Sequence, residues 1–119
     1  MSPIREHEFS RVGLLAELPG QTLRELSDRM RRETVAAGAE VMREGEDGDR
    51  FYVVLSGMLT VTQVAQGERR VLKPGDYFGE VALAMHMPRT ASVRALTPSV
   101  VASCDRAAFD RFIRPLFSD

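Results

Sequence analysis

The sequence predicts a mainly β, α+β domain: an antiparallel β-roll or jelly-roll barrel with N-terminal helices, a short helix inserted late in the strand series and a C-terminal helix. Three patterns predict it. Apolar residues recur at helical spacing before Thr34, short apolar or alternating runs separated by turns fill Thr34 to Cys104, and helical spacing returns after Cys104. A chain of 119 residues suits one domain with one modest core. The expected division is a helical segment over 1–33, a roll over 34–104 and a C-terminal helix over 105–119.

In the first segment Leu14, Leu15, Leu18, Leu23, Leu26 and Met30 keep mostly helical spacing around the break Leu18-Pro19-Gly20, and the helix should end before Thr34. Thr22 with Glu25 has the spacing of a capping box, which would satisfy free N–H groups at a helix start. Strands are expected at Glu40 to Arg43, Phe51 to Ser56, Met58 to Val64, Arg69 to Lys73, Ser92 to Leu96 and Val100 to Cys104. The separators contain Gly or Pro, as in Gly57, Gln66-Gly67 and Pro74-Gly75-Asp76, which supply the backbone angles that turns require. Leu59 and Val61 alternate with Thr60 and Thr62, the pattern of a strand with one buried face. Phe109, Phe112, Ile113 and Leu116 then fall at i, i+3, i+4 and i+7, with Asp105 placed to cap the helix and Pro115 weakening its end.

Composition narrows the function classes. With 16 basic and 17 acidic residues the net charge is −1, so there is no overall field to attract nucleic acid or an anionic membrane, and any anion site must be local. The single cysteine, Cys104, rules out an internal disulfide and a multi-cysteine zinc site; on its apolar strand it reads as a small buried hydrophobe. Charged residues such as Arg5, Glu6, Glu8 and Arg11 leave no apolar signal core, and no apolar run approaches ~20 residues, so a soluble, cytoplasmic domain is expected. His7 and His86 are isolated, without metal-ligand spacing. The acidic loop Glu44 to Asp49 fails as a calcium loop, because aligning Gly48 with the loop glycine puts Arg43 at the first ligand position. No metal and no catalytic group are therefore expected, since no nucleophile–base pair accompanies these features.

The chemistry concentrates in Phe78 to Val93, where a stretch of helical appearance from Glu80 to Met85 interrupts the strands. Gly79 permits a tight turn and close approach to the backbone, and the first N–H groups of the following helix lack intrahelical acceptors and favour anions. Arg89 offers a planar guanidinium able to meet two phosphate oxygens at once. Glu80 would be repelled by a phosphate alone. A carboxylate beside it makes sense if it accepts a hydrogen bond from a ribose hydroxyl, with Arg89 offsetting its charge.

Phe78-Gly79-Glu80-Val81-Ala82-Leu83, followed by Pro88-Arg89-Thr90-Ala91, closely resembles the phosphate-binding cassette of cyclic-nucleotide-binding domains. The likeness extends to Arg43-Glu44-Gly45-Glu46, Gly48-Asp49-Arg50-Phe51-Tyr52, Ser56-Gly57 and Pro74-Gly75-Asp76-Tyr77. The resemblance implies a ligand, cAMP or cGMP, with cAMP ahead, and no other cofactor. It implies that Glu80 holds the ribose 2′-OH, Arg89 the phosphate oxygens, and the amides of Ala82 and Thr90 the rest of the phosphate. Gly79, Val81 and Ala91 fall within the same ligand-binding cassette. Leu83 would be the apolar hinge that contacts the helix of Phe109 and Phe112. The base would rest on the barrel against Leu72, or against Val71 in the neighbouring register, and Thr90 could either contact it or point a methyl at the barrel.

The resemblance further implies a non-catalytic sensory module that relays occupancy through its C-terminal helix to an effector elsewhere in a larger protein. That effector could be a transcription factor's DNA-binding part, an enzyme, a channel or a transporter. No helix-turn-helix lies in these residues, so direct contact with nucleic acid or membrane is not expected. A further helix that closes over the base in this family would lie beyond Asp119.

Overall fold

The structure is a computed structural model that describes residues 4–117. Eight strands form two four-stranded antiparallel sheets: β1 (Arg31–Val35), β8 (Ser99–Asp105), β3 (Arg50–Ser56) and β6 (Tyr77–Phe78) in one, and β2 (Glu40–Met42), β7 (Ser92–Ala95), β4 (Leu59–Gln63) and β5 (Gly67–Leu72) in the other. The mainly β character matches the sequence expectation, but the sheets face each other as two layers and do not close into one barrel.

β3 shows how the layers share one chain. Residues 51–54 are all buried, because successive side chains point to opposite faces and both faces are covered. Phe51 and Val53 join a core with Leu15, Leu26, Leu83, Phe109 and Ile113 on the helical side. Tyr52 and Val54 join Leu59, Leu72, Val93, Ala95 and Val101 between the sheets. At roughly 25 cal/mol per Å² of apolar surface removed from water, these two clusters supply the main favourable term for folding.

The N-terminal segment departs from expectation in three respects. Two short 3-10 turns, Glu6–Phe9 and Gly13–Leu15, precede α1 (Gly20–Arg29), the only regular helix there among the described residues. Pro19 rather than Thr22 occupies the N-cap and no side chain caps the helix, so the expected box of Thr22 with Glu25 lies inside α1. The chain is already a strand at Arg31, inside the stretch assigned to helices, where β1 pairs with β8 in register Arg31 to Ser103. β1 is a charged edge: Arg31 and Glu33 pair at 3.3 Å, and charge on an edge strand resists unwanted pairing.

The short α2 (Glu80–Met85) begins after Gly79, whose φ of +89° suits a residue without a Cβ. The C-terminal segment starts as α3 (Arg106–Ala108), capped by Asp105 accepting from the Ala108 N–H at 2.9 Å. It then widens into a π turn over Phe109–Ile113 and ends as a 3-10 turn over Arg114–Phe117. Pro115 has no N–H for the carbonyl four residues back, so a regular helix cannot run through it. Among the described residues, no helix is long and apolar enough to cross a membrane.

Candidate functional site

A cavity of about 360 Å³ opens beside α2, within the size range of small-ligand pockets. Its cassette wall comes from Phe78 through Ala82 and from Arg89 through Ala91; its apolar floor comes from Met42, Val61 and Val93; Gln63, Arg69 and Arg70 stand along the remaining side. Gly79, Glu80 and Arg89 of one short segment thus face the same space as Arg69 and Arg70 of β5.

Arg89 is only 6% exposed, and its seat is built from backbone. Nη1 donates to Gly79 O at 3.0 Å and Nη2 to Arg50 O at 2.9 Å. Its guanidinium carbon lies 5.9 Å from the centre of the Tyr52 ring, which stacks on Phe78 at 4.9 Å. These contacts occupy only part of the guanidinium's donor set. Burial lowers the pKa of Arg89, while Tyr52, Asp49 and Glu80 act in the opposite direction. At its backbone, Arg89 N donates to Glu46 O and its carbonyl accepts from Gly45 N, both at 2.8 Å, so the acidic loop is a clasp on the cassette.

Glu80 is half-buried, and its Oε2 is buried without a hydrogen-bond partner among the described residues. Burial raises its pKa, opposed by its own backbone N–H and then by the positive charges of Arg70 and Arg89. The sequence assigned that compensation to Arg89 alone. Arg70 precedes it, and the net result is still a carboxyl held above its ordinary range.

The cassette residues Gly79, Val81, Ala82, Thr90 and Ala91 line the cavity. Thr90 is half-buried, and its carbonyl accepts from Gln63 Nε2 at 2.8 Å, which fixes the peptide between Thr90 and Ala91. Three expected residues do not reach the cavity. Leu83 turns away from it and is fully buried, in one apolar cluster with Phe109 and Phe112. Leu72 is fully buried between the sheets, and Val71 is 38% exposed and outside the lining.

The way β5 meets the cavity has a geometric cause. Val61 faces Arg70, but Thr62 faces Glu68, so Arg69 is the extra residue of a bulge. The bulge brings consecutive arginines, Arg69 and Arg70, to the cavity and leaves the apolar contact to Met42, Val61 and Val93. Val61 was legible as an inward residue from its alternation with Thr60 and Thr62. The bulge left no sign in the sequence.

Among known proteins, the model of the cyclic nucleotide-binding domain matches residues 32–115. The chain belongs to the cyclic nucleotide-binding domain family. It is 38% identical over 104 residues to the cAMP-dependent protein kinase regulatory subunit of Debaryomyces hansenii, covering 87% of this chain and 23% of that protein. It is 37% identical over 114 residues to the cGMP-dependent protein kinase egl-4 of Caenorhabditis briggsae, covering 91% of this chain and 15% of that protein. A solved structure of the regulatory domain of Toxoplasma gondii PKA with cAMP superposes with a TM-score of 0.88 at 32% identity, over 93% of this chain and 44% of that one. This cyclic nucleotide-binding domain therefore spans less than a quarter of the length of those two curated relatives.

Proposed function

We propose that the domain binds a cyclic nucleotide in the α2 cavity and passes its occupancy, without catalysis, to an effector elsewhere in the polypeptide. The observation that carries this reading is the pairing of Arg89 with Glu80 across one cavity: a buried guanidinium with donors to spare and a carboxylate oxygen with none to accept. A phosphate supplies acceptors for the first, and a ribose 2′-OH supplies a donor for the second. The amides of Ala82 and Thr90 complete the phosphate site in this reading. The base then lies toward Met42, Val61 and Val93, which offer it an apolar surface. A cytoplasmic location fits the lone buried thiol of Cys104.

The ligand in the first reading is cAMP, supported by likeness to cAMP-dependent kinase regulatory subunits. A second reading, cGMP, draws on Arg69 and Arg70 at the cavity. A guanidinium donates only, and the guanine edge offers two adjacent acceptors, O6 and N7, where adenine sets an amino donor beside N7.

Calorimetric titration with cAMP and with cGMP tests both, repeated on Arg89→Ala, Glu80→Ala and Arg70→Ala. Arg89→Ala is expected to cost several kcal/mol, about two or more for a charged partner left unpaired. Glu80→Ala should cost less and narrow the gap between ribose and 2′-deoxyribose ligands. Arg70→Ala should weaken cGMP more than cAMP if cGMP is the ligand. A folded wild type that gives no heat with either nucleotide at millimolar concentration overturns the proposal.

A further inference from the structure

Gly48, in the loop between β2 and β3, has a φ outside the positive range that favours glycine. Its need for glycine is steric. A Cβ there would lie 2.2 Å from Arg89 Nε, 2.3 Å from Cζ and 2.7 Å from Cδ, well inside the 3.0 Å that real Cβ atoms respect.

Neither side of this contact yields easily. Arg89 is held at its backbone by Glu46 O and Gly45 N, and at its guanidinium by Gly79 O and Arg50 O. Moving the side chain aside breaks the carbonyl bonds of a nearly buried charge, which is expensive. The loop is held in turn, because Gly48 O accepts from Arg106 Nη2 at 3.3 Å while Arg106 Nη1 donates to Leu83 O at 3.2 Å.

We propose that Gly48 is a positioning residue for the anion site: its bare backbone is the plate on which the stem and head of Arg89 lie. Any side chain at position 48 evicts the guanidinium from its carbonyl seat. The inference rests on the reading of Arg89 as the phosphate partner, and it adds a determinant outside the cassette that never touches the ligand.

A double-mutant cycle tests it with Gly48→Ala, Arg89→Ala and the combined variant. Each is measured by thermal unfolding without nucleotide and by titration with cAMP and cGMP. Gly48→Ala is expected to lower both melting temperature and affinity, the latter by about tenfold or more, given interaction energies of roughly 0.5–3 kcal/mol between contacting residues. In the Arg89→Ala background the same change should be neutral or slightly stabilising, since alanine at a compatible φ restricts the unfolded chain. If Gly48→Ala alone fails to fold, the combined variant should still fold. Wild-type affinity in Gly48→Ala, an equal loss of stability in both backgrounds, or unfolding of both variants overturns the inference. A wild type that binds neither nucleotide sinks the functional reading instead, while the unfolding cycle still reports on the contact between Gly48 and Arg89.

Discussion

Arg114 Nη2 donates to Leu83 O at 2.9 Å, tying the end of the C-terminal segment to the end of α2. Arg114 Nη1 reaches Ala84 O at 3.1 Å, and Arg106 Nη1 also meets Leu83 O, so two arginines from one segment grip the carbonyl end of the cassette helix. Those carbonyls have no intrahelical donors, and the negative end of a helix favours cations. The apolar contact of Leu83 with Phe109 and Phe112 is thus doubled by a polar one that also has direction.

The first prediction concerns this grip. Arg106→Gln with Arg114→Gln should cost about 0.5–1.5 kcal/mol of stability per lost bond. It should also uncouple the C-terminal segment from the pocket. In the wild type, saturating nucleotide should alter hydrogen exchange of the amides in residues 106–117. In the double variant, nucleotide should still bind while that change is lost. A variant that transmits as well as wild type would leave the apolar hinge as the whole connection.

A second prediction sets function against stability at Glu80. Burial raises its folded-state pKa above the ordinary 4.5, so the folded domain holds this proton more tightly than the unfolded chain. The ionised carboxylate therefore costs stability above the folded pKa, and the cost fades as pH falls through that value toward 4.5. Glu80→Gln should stabilise the empty domain at pH 7 by roughly 0.5–2 kcal/mol, with a smaller gain near pH 4, while weakening nucleotide binding. Melting curves at the two pH values check it; a variant less stable than wild type at pH 7 contradicts it.

Much of this arrangement was legible because the cassette is contiguous: Gly79, Glu80 and Arg89 lie within one short segment, and their chemistry follows from residue type and order. What stayed hidden depends on partners distant in the chain. β1 begins Arg31-Arg32-Glu33, and only its pairing with β8 makes that charged run a strand. The helix start is a local exception: Pro19 occupies the N-cap ahead of Thr22, and no side chain caps α1. The place of Arg70 depends on the bulge at Arg69, which exists only in the pairing of β4 with β5.

That bulge yields a third prediction. Val71→Thr should leave nucleotide affinity unchanged, since Val71 faces away from the cavity and sits opposite Thr60. Leu72→Ala should act through stability, costing about 2–5 kcal/mol for a fully buried leucine, with affinity preserved in whatever fraction remains folded. Val61→Ala, by contrast, should weaken binding with little change between ribose and deoxyribose ligands. A direct loss of affinity in Val71→Thr would restore the neighbouring register as the base contact.

The last prediction uses Cys104 as a reporter. It is fully buried on β8 opposite Phe51, and burial pushes its thiol up to about 12, with lesser opposing effects from Arg50 and Arg29 and an added one from Asp105. Only the thiolate attacks a disulfide reagent, so the native thiol should be inert to Ellman's reagent at pH 8, and one equivalent should react in urea, because the chain has one cysteine. Labelling of the native protein must then wait for β8 to open. If opening is global and excludes nucleotide, ligand at a hundred times its Kd stabilises the folded state by about 2.7 kcal/mol, which slows labelling about a hundredfold. Arg89→Ala should abolish that slowing while leaving the unliganded reaction dependent on its own stability. Rapid labelling of the native wild type would mean that β8 opens locally, and a nucleotide effect that persists in Arg89→Ala would mean that the ligand holds the fold through other contacts.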